Sequence, residues 1–390
     1  MQLDFHYYAT YCAAILAGYD HEESCRICYS AQFVDCCTRT YLSSLKAPVA
    51  AATSQTAMEM ADARTDRVGL QDITRIWSSF HFLPYDLNAE PPKRSIKRYK
   101  NKYRLICNSN GALIPETVNL AKNKSLPAVG VAMHVLADTW AHRYFAGTPS
   151  FVINNTNYHF FEYLPENGEL KERKVTFRLK SGGDDLENGI YINSVSSNNE
   201  NSIFNLGHGR AGHLPDYSFM RYKYLPAWGH YKEIYKDNPS DFFHAFCQMI
   251  YAMKYLRGEH NTFETERYDT EAVKAYEERI HEIIEVRRPD SSEDWKALGE
   301  ELSGRELEDF DVDKYKDEYL NAAAEEKDNT FLGEFILAAM AQKSMVTNKI
   351  YSSGNMLAGV SVNYVEKGFR GIKDFERLVK HMMGRDKKHE

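Results

Sequence analysis

No run of apolar residues in this 390-residue chain approaches the roughly 20 needed to cross a bilayer as a helix. The start, Met1-Gln-Leu-Asp-Phe-His6, lacks the basic stretch and apolar core of a secretory signal, so taken as the native start it predicts a cytoplasmic chain. Cysteine is sparse: seven residues, an odd number, scattered from Cys12 to Cys247, which argues against a disulfide framework and suits a reducing compartment. Cys25-Arg-Ile-Cys28 and the following Cys36-Cys37 have formal metal or redox spacing. Residues 22–38 nevertheless read as one helix without Gly or Pro, with no strand before it, so these thiols are expected to be small core residues. The Gly-x-x-x-x-Gly-Lys-Ser/Thr loop, H-E-x-x-H and any His-Asp dipeptide are missing, and Glu278-Arg-Ile-His281 is a single E-x-x-H where a di-iron bundle needs two. These absences remove P-loop nucleotide chemistry and several metal-hydrolase patterns. A net charge of -7 argues against general coating of nucleic acid.

What is present begins with enough apolar material for a sizeable core, 43% of residues, in one large or two ordinary domains. Within it lies Gly130-Val-Ala-Met-His134-Val-Leu-Ala-Asp138-Thr-Trp-Ala-His142, an otherwise apolar string with no Gly or Pro after Gly130. Its composition predicts a helix. Positions i, i+4 and i+8 fall within an arc of about 80° and span about 12 Å, so His134, Asp138 and His142 share one stripe. The other faces would bury the helix and strand two imidazoles and a carboxylate away from water, where such groups need a partner. A divalent transition metal suits that donor set, whereas the bland reading is two satisfied core histidines.

Along the chain, 5–64 has helical periodicity, with a turn at Gly18-Tyr-Asp20. The segment 91–104 is strongly basic and carries Lys97, Arg98 and Tyr99. It reads as a solvated helix face or as an anion-guiding lip that binds substrate beside a site. Residues 148–205 alternate like strands between Asn, Gly and Ser turns and predict a small β-rich insertion. Helix returns at 241–256, and 262–328 is heavily acidic. A last apolar helical region, 331–350, precedes a basic tail. The expected architecture is therefore mainly α: a helical metal-binding core at 1–260 holding the insertion, and an acidic helical appendage with C-terminal helices at 261–390.

Other His and Asp residues also sit in apolar surroundings: His6 in Asp4-Phe-His-Tyr-Tyr, Asp35 in Ala31-Gln-Phe-Val-Asp, and His81 between Phe80 and Phe82. His208, His213 and Asp216 lie in the Gly-rich loop Gly207-His-Gly-Arg-Ala-Gly-His-Leu-Pro-Asp216. Taken in order, these elements over about 1–260 resemble the superfamily of zinc-dependent phospholipases C and fungal single-strand nucleases. An uncharacterised bacterial branch, a domain of unknown function, resembles the chain more closely still through Phe80-His-Phe-Leu-Pro84 and Asp138-Thr-Trp-Ala-His142. The resemblance implies an all-α core with clustered zinc ions. Asp35, His81, His134 and Asp138 would hold one zinc, and Asp138, His6 and the Met1 amine a second. His142 with His208, His213 or Asp216 would hold a third. The chain departs from the family by leaving three residues, not five, between Asp138 and His142, and by lacking a final His and carboxylate one helical turn apart. Two or three ions are therefore expected.

That likeness implies phosphodiester hydrolysis by metal-activated water, with Asp35 ligating and accepting the water's proton. The substrate would be a phosphoester, either a single-stranded nucleic acid, for which the Tyr-rich basic segment offers stacking and backbone contacts, or a phospholipid. A different class stays open: a non-catalytic metal-stabilised scaffold or binding module, working through the insertion and through a protein partner on the C-terminal appendage.

Overall fold

In a computed structural model of the chain, residues 1–360 are described apart from 157–158, 167, 179–181, 194–206 and 231. The apolar string forms the helix Leu126–Ala141, with Pro127 in its first turn and every residue from Pro127 onward buried. A helix apolar on all faces must lie at the centre of its neighbours. Those neighbours include His21–Cys36, Asn238–Leu256, Phe331–Ser352 and Ile114–Leu120. His21–Cys36 begins with a capping box, in which Asp20 accepts from the Glu23 amide and the Glu23 side chain accepts from that of Asp20.

Gly130 decides how closely the first of these helices approaches. A Cβ there would stand 2.3 Å from the Ile27 carbonyl oxygen and 2.6 Å from the Ser30 Cβ, so only glycine lets the two backbones touch. Ser30 Oγ donates across the contact to the Pro127 carbonyl at 2.7 Å. The crossing brings Asp35, near the end of one helix, against His134 in the middle of the other.

The β structure is more extended than the insertion expected at 148–205. Its strands are β1 (Phe160–Glu166), β2 (Glu169–Lys174), β3 (Thr176–Arg178), β4 (Ile190–Ile192), β5 (Arg221–Tyr224) and β6 (Ile234–Asp237). An antiparallel sheet runs β2-β1-β5-β6, with Phe161 opposite Lys174 and Phe160 opposite Tyr224, while β3 and β4 pair in parallel. The short strands β5 and β6 follow Gly- and Pro-rich loops, which hid them from a reading by periodicity. Phe160, Phe177, Tyr191, Tyr222 and Tyr224 gather with Phe145 and Leu214 into a second apolar cluster.

Residues beyond 260, expected as a solvated appendage, enter the main core as far as they are described. The helices Glu277–Glu285, Ser292–Ser303 and Phe331–Ser352 place Ile280, Ile284, Trp295, Leu298 and Phe335 in one apolar cluster with Phe5, Tyr11 and Phe246. The acidic side chains face water while apolar residues at helical spacing face inward. Summed charge masks that pattern. The basic tail, residues 361–390, lies outside the described residues. All seven cysteines are free, with Cys28 and Cys37 buried and Cys25 and Cys36 half-buried. Among the described residues no helix is long and apolar enough to cross a membrane.

Trp295 is the clearest test of that continuity, because it is fully buried and its ring lies edge-on to Phe5 and against Phe246. Trp295→Ala is expected to lower stability by about 3–5 kcal/mol. Thermal unfolding followed by circular dichroism should show one transition at a lower temperature. An unchanged main transition preceded by a small separate one would mean that the C-terminal helices fold apart from the core.

Candidate metal centre

Two of the histidines sit in widened helical turns. Asp4–Ala9 and Trp77–His81 are π-helical, with the Thr10 amide reaching back to the Phe5 carbonyl and the Phe82 amide to that of Trp77. Such turns interrupt the regular ladder and recur at functional positions. Here they carry His6 and His81 toward the central helix, where His134 and Asp138 are fully buried. His142 stands just past the end of that helix.

Backbone carbonyls select the tautomer of three imidazoles, since a carbonyl can only accept and the ring nitrogen facing it must carry the proton. His134 Nδ1 donates to Ala31 O at 2.9 Å, His81 Nε2 to Thr53 O at 2.9 Å and His142 Nδ1 to His81 O at 2.6 Å. In the neutral rings the opposite nitrogens then hold lone pairs, and these point at anions. His134 Nε2 and His81 Nδ1 each lie 3.2 Å from Asp138 Oδ2, and they are 3.4 Å from one another. His142 Nε2 lies 3.2 Å from Asp216 Oδ1. Lone pairs facing carboxylate oxygens repel unless a positive charge lies between them. His6 adds to the cluster, with Nε2 3.1 Å from Asp138 Oδ1, its ring stacked 3.9 Å from that of His134, and a buried Nδ1 without a hydrogen-bond partner.

Among the described residues three groups of donors could each hold an ion: His6, His134 and Asp138; Asp35, His81 and His134; and His142, His208 and Asp216. His134 belongs to two of them. The Met1 amine is 2.7 Å from Asp138 Oδ1 and 3.2 Å from Asp216 Oδ1, so it bridges the carboxylates of the first and third groups. A cavity of about 340 Å³ exposes this assembly, lined by Asp35, His81, Asp138 and His142 and walled by Trp77 and Phe82. Asp35 is one-third exposed, with Oδ1 3.8 Å from His81 Nδ1 and 3.9 Å from His134 Nε2. Water can therefore reach it.

The electrostatics have the same cause. Burial disfavours the charge on the Met1 amine, but Asp138, Asp216 and Asp35 outweigh it and push the group up to about 11. Burial likewise opposes ionisation of Asp138 and Asp216, yet surrounding imidazoles and the amine hold both carboxyls well below their usual range. Burial pushes His6 and His142 down to about 4, which keeps them neutral as metal ligands must be. Burial pulls His81 down as well, but Asp138 and Asp35 more than reverse this and raise it.

The loop at 207–216 reaches the site by backbone geometry rather than by helical spacing. Gly207 and Gly212 have φ of +53° and +59° on either side of the single turn His208–Ala211, and a Cβ on Gly212 would stand 2.2 Å from the Ile192 carbonyl oxygen. The chain doubles back and sets His208 Nε2 3.2 Å from Asp216 Oδ1. This explains why the sequence shows no His and carboxylate one turn apart. His213 stays at the rim, 55% exposed, with Nδ1 3.3 Å from Asp216 Oδ2, and belongs to none of the three groups.

Lys97, Arg98 and Tyr99 do not line this cavity. They occupy the helix Lys97–Tyr103, where Lys97 and Arg98 face one separate cleft and Tyr99 another. The chain after His81 is turned away from the cavity where Pro84 pairs with Cys107 and the Tyr85 amide donates to Ile106 O. Sequence reasoning also missed Thr53 and Lys343. The buried Lys343 ammonium donates to the carbonyls of Ala50 and Ala52, next to the Thr53 carbonyl that holds His81.

Residues 1–350 match a family of unknown function (DUF6765), and the chain belongs to that family. No curated protein and no solved structure matches it.

Sharing of ligands sets the first expected outcome here. His134→Ala, which removes a donor from two groups, should release more metal per chain than His208→Ala, which touches a single group and should lose one ion at most. Elemental analysis of the purified variants measures this, and equal losses would contradict shared ligation. A second outcome concerns Lys343, which burial pushes down to about 8 from an ordinary 10.5. Below that range both the folded and the unfolded chain carry the charge, and the fold bears its burial. Between about 8 and 10.5 the unfolded chain binds more protons, so stability should rise with pH, and Lys343→Met should remove that rise. Urea denaturation of both proteins at about pH 7 and about pH 9.5 compares the slopes, and equal slopes would refute it.

Proposed function

We propose that this DUF6765 protein is a zinc-dependent phosphoesterase, built on a helical core like that of the zinc-dependent phospholipases C and single-strand nucleases. The observation that carries this reading is the convergence of three imidazole lone pairs, each locked by a backbone carbonyl, on buried carboxylates at the wall of one cavity. Imidazole and carboxylate together suit zinc, and carbonyl-bound imidazoles are the outer support that metal-ligating histidines ordinarily have. His134, Asp138, His6, His81 and Asp35 would hold two ions, joined by the Met1 amine where an ion displaces its proton, and His142, His208 and Asp216 a third. When bound, zinc lowers the pKa of water toward neutrality and neutralises charge gathering on a phosphoryl group.

The protein's own residues supply the rest. Asp35 is the partly exposed carboxylate of the Asp35, His81 and His134 group, so it is placed to take the proton of a water attacking phosphorus as the bond to the leaving oxygen breaks. Asp138 and Asp216, held ionised by the imidazoles and the amine, keep the site anionic and ready for cations. Trp77, Phe82, Ile76 and Met60 give the cavity an apolar wall, which fits either a nucleobase or the glycerol and acyl portion of a lipid.

Asp35→Asn should lower hydrolysis of a chromogenic phosphodiester by about 100-fold or more while the helical signal is kept. Wild-type protein loaded with zinc is to be assayed in parallel on the diester, single-stranded DNA and RNA, and phospholipid. Failure on all of them would leave a metal-stabilised scaffold as the better reading.

A further inference from the structure

We propose that a second cleft, beside the Lys97–Tyr103 helix, docks the protein on an anionic lipid surface, independently of the chemistry at the His/Asp cavity. The cleft measures about 880 Å³, and Arg67, Lys97, Arg98 and Lys102 line it with no Asp or Glu among its lining residues. None of these four cations makes an ion pair among the described residues. Two other cations of the same segment, Lys100 and Arg104, are by contrast paired with Glu90. Lys102 is pushed down by burial and by its neighbour Arg98, the expected result of crowding like charges without a counterion. In a chain of net charge -7, four uncompensated cations on one wall call for an anion.

The apolar residues of the same cleft narrow the choice of anion. Leu70, Phe151, Val152 and Met356 line it and are exposed. Val68, 74% exposed, and Ile96, 72% exposed, adjoin the lining residues Arg67 and Lys97 in sequence. Exposed aliphatic side chains set among cations are what a peripheral contact with a bilayer requires. The apolar groups enter at headgroup depth and the cations pair with lipid phosphates. A single-stranded nucleic acid would use the same cations but needs rings for its bases to stack on, and among the described residues Phe151 is the one aromatic lining the cleft.

The test is flotation of the full chain with vesicles of phosphatidylcholine alone or mixed with phosphatidylglycerol, at low and high salt. Binding is expected only to the mixed vesicles and should weaken with salt. Replacing Arg67, Lys97 and Arg98 together by Ser should lower partitioning on the order of 100-fold, from about 1 kcal/mol per basic side chain at an anionic surface. The pair Phe151→Ser and Val152→Ser should lower it even at low salt, where charge alone is strongest. Circular dichroism and metal content establish that both variants are folded. No preference for the mixed vesicles, or undiminished binding by both variants, would overturn the proposal. So would a single-stranded oligonucleotide that displaces the vesicles while the apolar variant binds as well as wild type, which would assign the cleft to nucleic acid.

Discussion

Asp138 is a carboxylate in the last turn of a helix whose other faces are all apolar, and it is almost wholly buried, only its edge lining the cavity. An ionised group there is tolerable only if positive charge or donors surround it. His6, His81, His134 and the Met1 amine all come within 3.2 Å of one of its two oxygens, and His142 stands farther out at 3.5 Å. These groups arrive from the N-terminus, from the turn after Arg67–Ile76 and from the Asp138 helix itself. The first half of the fold can therefore be understood as a way of delivering donors to one buried carboxylate.

Delivery alone would leave the rings free to turn. Their orientation is set one layer out, where the carbonyls of Ala31, Thr53 and His81 each fix a ring nitrogen as a donor. The Thr53 segment is in turn held by the Lys343 ammonium, whose helix packs on the Asp138 helix. A chain of contacts thus runs from the C-terminal helix to His81. This ties residues far beyond 260 to the site, and it explains why the acidic C-terminal part is continuous with the core rather than appended to it.

The chain after His81 shows how local pairing overrides proximity in sequence. Residues 93–104 follow His81 closely, yet the pairing of Pro84 with Cys107 turns the backbone and leaves the basic helix between two other clefts. Charge therefore divides the surface. The His/Asp cavity is lined by carboxylates, whereas among the described residues the charged groups lining the cleft beside Lys97–Tyr103 are all cations.

Periodicity was sufficient to identify the Leu126–Ala141 helix and the shared face of His134 and Asp138, because a 3.6-residue repeat fixes which side chains align. Apolar flanks were sufficient to mark His6, Asp35 and His81 as groups needing a partner, and the mainly α character followed from the same patterns. The sequence named His208, His213 and Asp216 only as alternatives beside His142; that His208 and Asp216 meet it while His213 stays at the rim depends on two positive-φ glycines, and no periodic spacing encodes that turn. Nor could the sequence show that Lys97 and Arg98 face away from the metal candidates, or that Trp295 completes the core, because both depend on contacts between segments distant along the chain. Local pattern determined which residues required partners. Tertiary packing decided which partners they found, since burial of Asp138 is relieved only when separate elements meet around it.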